Sequence, residues 1–308
     1  FRTMVSLERH RGHFYNWYDT RTLRPLLPMY VSTVDSGNLA SYVLTLRAGL
    51  LALPADPILS RRAFAGLADT LDVLQESIGA EAGAALAALR QEVGSSTVAG
   101  PIPLRDAKRR LDRLVELAGT LSIPDAGYDV RDTTTNTSRT SDWAATLLRQ
   151  CQALRDELGW LAPWLSLPPA PAGLAVLLPD TRTPSLREVA DLESKLSPDI
   201  ARALETCADA SIRDWLIELR ESVAAGSAVA RQAIEDSERL GAQAGEFANV
   251  DHVFLYDRSR RLFRIGFNVS ERRLDSSYYD LLASEARLCS FLAIAQGTGE
   301  VPSRPAWM

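Results

Sequence analysis

One carboxylate, Glu285, falls inside an apolar stripe of a predicted helix near the end of the chain. Apolar residues recur at helical spacing from Tyr278 to Leu292, and Glu285 lies in the middle of them. An ionised carboxylate on such a face is costly unless it is paired or hydrogen-bonded. Two interpretations follow: a buried structural acid satisfied by an arginine or by backbone donors, or an acid that points into a cavity with a pKa tuned for function.

A second unusual segment, residues 13–39, reads HFYNWYDTRTLRPLLPMYVSTVDSGNL. It interleaves aromatic residues with polar ones: Phe14, Tyr15, Trp17, Tyr18 and Tyr30 with Asp19, Asp35 and Asn38. Flat aromatic faces beside carboxylates and amides are typical of a carbohydrate site, and the set suits a concave pocket with a few convergent polar groups. Asp35 and Asn38 also lie at a predicted helix N-terminus. Capping by Asp35 is therefore as good an interpretation as ligand binding.

The predicted last helix carries further polar residues beside its apolar stripe. Asp280 and Ser284 are four residues apart, and Ser284 and Arg287 are three apart. Side chains at these spacings meet on one helix face, so an intrahelical polar ladder is the simplest interpretation.

Composition excludes several classes of function. The chain has 308 residues, of which 46% are hydrophobic and 24% charged, with a net charge of -5. Acids and bases are mixed without a basic stripe, which argues against a nucleic-acid partner. No apolar run approaches the roughly 20 residues that a membrane span needs.

The cysteines and histidines predict neither a disulfide framework nor a metal centre. Cys151, Cys207 and Cys289 are widely spaced, lack a CxxC motif and sit among apolar residues, which predicts buried free thiols. His10 and His13 have i,i+3 spacing, but no HExxH motif or carboxylate cluster accompanies them. We therefore expect no metal and no cofactor.

Helical periodicity along almost the whole chain predicts a mainly α fold. One helix is expected from about Gly37 to Leu53, capped by Asp35 or Ser36, and the last helix from near Asp275 to about Gln296. Between them, Ser185 and Glu188 form an S-x-x-E capping box. The only clear period-2 alternation flanks the residues DRSR, which predicts one antiparallel hairpin near 253–269 and no other substantial sheet.

The two unusual segments carry a resemblance to a known family. Residues 11–46, with NWYDT and TVDSGNL, and residues 254–297, with FLYDRSRRLF and SSYYDLLASEARL, resemble the central region of cyclic β-1,2-glucan synthases. They are similar, more loosely, to bacterial endo-β-1,2-glucanases. Family motifs that precede and follow these segments are missing, so the chain is expected to be a central slice of a longer protein.

The resemblance implies a fold and an activity. The synthases are large inner-membrane proteins whose central part is an (α/α)6 barrel that closes linear β-1,2-glucan into a ring by transglycosylation. Residues 1–57 and 245–308 would then be barrel segments that carry the site, and 58–244 a helical insertion. The implied partners are the β-1,2-glucan chain and the remaining domains of the parent synthase, with this segment on the cytoplasmic side.

The resemblance also implies roles for individual residues. Glu285 matches a carboxylate of the family's active-site region, which favours the catalytic interpretation. The implied substrate-binding residues are Trp17, Tyr18, Asp19, Asp35, Asn38, Tyr279, Asp280 and Arg287. Glycosidase-type chemistry normally uses two carboxylates, and the second acid is expected beyond Met308. Whether water or a sugar hydroxyl is the acceptor stays open.

A function of another class competes with this one. The chain would then be a non-catalytic helical scaffold or interaction module, since the helices of residues 58–244 present no evident site. The two hypotheses differ in one structural expectation. An enzyme segment should bring residues 13–38 and Glu285 into one cleft, whereas a scaffold would leave them apart.

Overall fold

Helix dominates the computed structural model, which describes residues 1–78, 84–97, 102–121, 136–178, 182–279 and 286–297. The α-helices within these ranges are α1 (Arg2–Ser6), α2 (Thr33–Ala52), α3 (Arg61–Ile78), α4 (Ala84–Thr97), α5 (Leu104–Gly119), α6 (Asn136–Leu161), α7 (Leu186–Ala190), α8 (Leu192–Thr206), α9 (Ala210–Ala248) and α10 (Ala286–Ala295). The strands are β1 (Arg9–His10), β2 (His13–Phe14), β3 (Tyr30–Ser32), β4 (Tyr256–Asp257), β5 (Leu262–Phe263), β6 (Gly266–Asn268) and β7 (Arg273–Leu274). The prediction of a mainly α fold is confirmed.

The chain divides into two compact units. The first comprises residues 1–53 and 235–308, and the second comprises residues 54–234. We refer to them as the terminal unit and the central unit. None of the helices within the described ranges combines the length and the apolar character that a transmembrane segment needs.

The central unit is an assembly of amphipathic helices around a leucine-rich core. Helix α6 packs against α3 and α5, and α4 packs against the same two helices. On α5, Leu104, Leu111 and Leu114 fall on one face and are buried, as helical periodicity predicts. Full burial of such a side chain contributes about 1.5–3 kcal/mol, so these faces account for the helical packing.

The capping box predicted at the start of α7 is confirmed. Ser185 Oγ accepts a hydrogen bond from the Glu188 backbone N–H, and the Glu188 carboxylate accepts one from the Ser185 N–H. Arg182 pairs with the same carboxylate. These bonds satisfy backbone donors that have no partner within the first helical turn.

The terminal unit has smaller, more aromatic cores. One contains Tyr15, Val31, Leu255 and Phe263. A separate core joins α2, α10 and the end of α9. Helices α2 and α10 touch at Gly37, where an added Cβ would lie 2.4 Å from Cys289 Cβ. A residue without a side chain is therefore needed at position 37 for the two helices to pack this closely.

The predicted hairpin is present, but it is not the only sheet. Strands β4 and β5 pair in antiparallel register, with Tyr256 opposite Phe263. A three-stranded sheet in the order β3-β6-β7 and a β1-β2 pair accompany it within the described ranges. The expectation of a single hairpin is therefore wrong. Strands of two or three residues show too little alternation to be recognised, and β3 pairs with β6 across more than 230 positions of sequence.

Two predicted helix boundaries are also wrong. Helix α2 begins at Thr33, because Ser32 Oγ caps it by accepting from the Asp35 N–H. Asp35 therefore lies within the first turn and is not the cap. The last helix does not begin near Asp275, because residues 275–279 are not helical and Tyr278 forms a bridge with Arg264. The described helix there is α10, and residues 280–285 lie outside the described ranges.

Candidate functional site

A groove of about 380 Å³ opens beside the first turns of α2 in the terminal unit. Its lining includes Phe14, Asn16, Trp17, Asp35, Leu39 and Phe247. We call it the Trp17 groove, because the Trp17 side chain is 51% exposed at its wall. A concavity of this size that combines apolar side chains with convergent polar groups is typical of a small-molecule or sugar site.

Asn16 fixes the polar wall of the Trp17 groove. Its backbone N–H donates to Tyr30 O at 2.9 Å, and its Oδ1 accepts from the Ser32 N–H at 3.1 Å. Its Nδ2 donates to Asp35 Oδ2 at 3.0 Å. The amide therefore holds one carboxylate oxygen of Asp35 in place. Asp35 also lies in the first turn of α2, where the helix dipole favours a negative charge.

A second polar cluster lies close to Asp35. The Tyr30 hydroxyl donates to the Asp275 carboxylate, and burial together with this bond raises the pKa of Tyr30 well above its usual value. Ile265 links this cluster to the start of α2, because its carbonyl accepts from the Thr33 N–H at 3.0 Å and its N–H donates to Ser277 O at 3.1 Å. The segment that precedes residues 280–285 therefore runs beside the N-terminus of α2.

The course of that segment is held by Asp257. Asp257 Oδ2 accepts from the Tyr278 hydroxyl at 2.6 Å and from Arg264 Nη2 at 2.9 Å, while Arg264 Nη1 donates to Asp275 O at 2.9 Å. The hydrogen bond from Tyr278, together with those that Asp257 accepts from Ser259 and from the Arg260 N–H, holds the pKa of Asp257 well below its usual range. The hairpin is thereby tied to residues 275–278.

Two buried histidines, His13 and His252, pack edge to face in the terminal unit, and His13 belongs to the lining of the Trp17 groove. His13 is buried and its Nε2 donates to Asp251 O at 2.7 Å. His252 is 0% exposed, and its Nδ1 lies 3.7 Å from Cys289 Sγ. Burial raises the pKa of the Cys289 thiol to about 12, and burial together with His13 lowers the pKa of His252 to about 4. The thiol and the imidazole are therefore both neutral at pH 7.

Of the five predicted binding residues of the first segment, two line the Trp17 groove and three do not. Trp17 and Asp35 line the Trp17 groove. Tyr18 is half-buried, and its hydroxyl donates to Glu8 O at 2.7 Å. Asp19 Oδ1 accepts from the N–H groups of residues 21 and 22, which forms a local turn. Asn38 is half-buried on α2 beside Leu39. The structure therefore brings Trp17 and Asp35 together and gives Tyr18 and Asp19 local partners.

The predicted residues of the second segment are only partly described. Tyr279 is half-buried near Tyr30, and Arg287 is exposed on α10. Asp280 and Glu285 lie outside the described residues. Within the described ranges, no three His, Cys, Asp or Glu side chains are grouped so that they could hold a metal ion.

Asn16 and Asp275 were not predicted from the sequence, and Tyr30 was recognised only as one of the aromatic residues of its segment. Asn16 stands inside the motif NWYDT, so its neighbourhood was recognised although its own role was not. Tyr30 and Asp275 meet across 245 positions of sequence. No local spacing rule could have paired them.

A sequence comparison identifies a relative of this chain. The chain is 26% identical over 306 residues, 96% of its length, to the cyclic β-(1,2)-glucan synthase NdvB of Rhizobium meliloti (strain 1021). The chain is related to a region of that synthase. The similarity confirms the resemblance and extends it through the central unit, beyond the two motif-bearing segments. The chain spans about 8% of the length of this curated relative, and no family model matches it.

Proposed function

We propose that this chain is the central region of a cyclic β-1,2-glucan synthase and acts on β-1,2-glucan chains by transglycosylation, closing them into rings. The observation that carries the proposal is the meeting of a half-exposed Trp17 with the Asn16–Asp35 pair in one groove. It occurs in a chain that is similar over 96% of its length to a synthase of this name.

The Trp17 groove offers the two contacts that a glucan needs. The indole of Trp17 supplies a flat apolar face for one side of a glucose ring. Asp35 Oδ2 is held by Asn16, which leaves the other carboxylate oxygen for a sugar hydroxyl. Because Asn16 is fixed by three hydrogen bonds, the acceptor is preorganised before the sugar arrives.

We further propose that Glu285 supplies the acid for bond cleavage. Its described neighbours support this: Tyr279 lies near Tyr30, and α10, which starts at Ala286, packs on α2 at the Gly37–Cys289 contact. As a general acid, Glu285 would donate its proton to the glycosidic oxygen that leaves. A second carboxylate outside this chain would complete the pair, and a sugar hydroxyl of the same glucan would replace the leaving group, its proton passing to a carboxylate.

The proposed architecture follows from the same relationship. Residues 1–57 and 245–308 would belong to an (α/α)6 barrel, and 58–244 would be an insertion into it. The parent synthase would reside in the bacterial inner membrane, with this region on the cytoplasmic side. The chain would need no cofactor of its own.

A binding experiment tests the proposal directly. Linear β-1,2-glucooligosaccharides are titrated into the chain by calorimetry, with β-1,4-linked oligosaccharides of equal length as the control. We expect saturable binding of the β-1,2 series and much weaker binding of the β-1,4 series. Equal affinity for both linkages, or no binding of either, would favour the non-catalytic helical scaffold.

A further inference from the structure

The central unit carries a groove of its own, between α6 and α9. It has a volume of about 650 Å³, and its lining includes Gln152, Ala153, Glu157, Trp160, Val229 and Ala233. We call it the Trp160 groove. Trp160 is 66% exposed, more than Trp17, although a tryptophan is among the side chains most favoured in a protein interior or interface.

The close approach of the two helices at one point builds this groove. An added Cβ at Gly226 would lie 2.7 Å from Leu161 O, so α9 meets the end of α6 through bare backbone. Val229 and Ala233 lie three and seven residues after Gly226, on the same face of α9, and line the groove beyond the contact. The groove is therefore a product of backbone packing and does not depend on a mobile loop.

The chemistry of the Trp160 groove fits an uncharged, hydroxyl-rich chain. Ala153 and Ala233 are too small to cover the indole. Gln152 and Glu157 stand on the Trp160 face of α6, and their side chains make no hydrogen bond to another residue within the described ranges. The Gln152 amide therefore remains available to donate and accept hydrogen bonds, and the Glu157 carboxylate remains available to accept them. A polyanion is disfavoured, because the lining carries Asp156 and Glu157 against a single arginine.

We propose that the Trp160 groove is a second glucan-binding site, at which the indole stacks on a glucose ring while Gln152 and Glu157 bind its hydroxyls. This inference rests on the proposed function for the identity of the sugar. A polymeric substrate presents many equivalent rings, so a long chain that occupies both grooves is retained better than either groove alone would allow.

Paired tryptophan variants of the full chain test the inference. Trp160→Ala is compared with Trp143→Ala, which removes an exposed indole from the same helix outside the groove lining. Retention on immobilised linear β-1,2-glucan should weaken about tenfold for Trp160→Ala and stay unchanged for Trp143→Ala. Trp160→Phe, which keeps an aromatic face, should recover most of the loss, and the melting temperatures of all three should match that of the wild type.

The same assay separates this inference from the proposed function. If Trp17→Ala retains the glucan and Trp160→Ala does not, the assignment of the Trp17 groove to the glucan fails and the second site stands. Wild-type retention by Trp160→Ala overturns the second site. If that variant also has an altered sedimentation coefficient, the Trp160 groove is an interface between proteins.

Discussion

The two units of this chain bury different kinds of side chains. In the central unit, leucines at helical spacing form a large continuous core, and the ion pairs are mostly exposed and local. In the terminal unit, the cores are small and more aromatic, and two buried histidines, His13 and His252, lie among them. The unit with the less regular interior is the one that contains the Trp17 groove. Buried polar groups that need specific partners are expected where side chains must be held in one geometry.

This difference between the two units also explains which parts of the fold could be predicted from the sequence. Helical periodicity specified the central unit well, because its helices are stabilised by faces that repeat along each element. The Ser185–Glu188 capping box could also be predicted, because all of its atoms lie within four consecutive residues.

The terminal unit was harder to predict because its structure depends on distant partners. The start of α2 was misplaced because its cap, Ser32, is held in position by Asn16, sixteen residues away, whose Oδ1 accepts from the Ser32 N–H. The sheet of β3, β6 and β7 joins residues from the two ends of the chain. The aromatic and carboxylate residues of the groove were recognised by type, but which of them face the groove was not encoded locally.

The largest expected difference between the units concerns catalysis. We expect Glu285→Gln in the full-length synthase to lower ring formation by about 100- to 10,000-fold, the contribution of general acid–base catalysis, and to leave linear elongation intact. The matched control is Glu218→Gln, an exposed glutamate of α9 in the central unit, which should change neither. Ring formation and melting temperature are measured on the same preparations. Near-normal ring formation would exclude a catalytic Glu285, and a lower melting temperature with full activity of the folded fraction would identify a structural acid.

The pH dependence of stability should also differ between the units. All three histidines lie in the terminal unit, and the pKa of His252 is lowered to about 4, first by burial. As the pH falls, His252 is therefore protonated in the unfolded chain at a higher pH than in the folded chain. The terminal unit should keep its full stability above pH 6.5 and lose about 3 kcal/mol as the pH falls to about 4, at roughly 1.36 kcal/mol per unit.

Two buried thiols report the units separately in this experiment. Cys289 lies in the terminal unit and Cys151 in the central unit, and both are buried. Labelling with a disulfide reagent that reacts at acidic pH, in increasing urea, should show Cys289 exposed at a lower urea concentration at pH 5 than at pH 7. The midpoint for Cys151 should move less. Equal shifts at the two thiols would contradict the assignment of the pH dependence to the buried histidines.

The contact between α2 and α10 provides a smaller effect. Gly37→Ala places a Cβ 2.4 Å from Cys289 Cβ, so we expect a loss of about 1–3 kcal/mol in the free energy of unfolding. Gly49→Ala is the control on the same helix, where an added Cβ meets no atom within 4 Å. Alanine is the better helix former by about 1 kcal/mol, so this variant should be as stable as the wild type or more so. Equal stability of the two variants in urea would show that the helices do not pack as described.

Calorimetry on the Trp17 groove tests the central claim most directly. The affinity for linear β-1,2-glucooligosaccharides short enough to occupy one groove is measured for the wild type, Trp17→Ala and the control Trp143→Ala, together with their melting temperatures. Because Trp17 is half-exposed, its removal should leave the fold intact and weaken binding about tenfold, while Trp143→Ala binds as the wild type does. Undiminished affinity in a stable Trp17→Ala protein would contradict the assignment of this groove to the glucan.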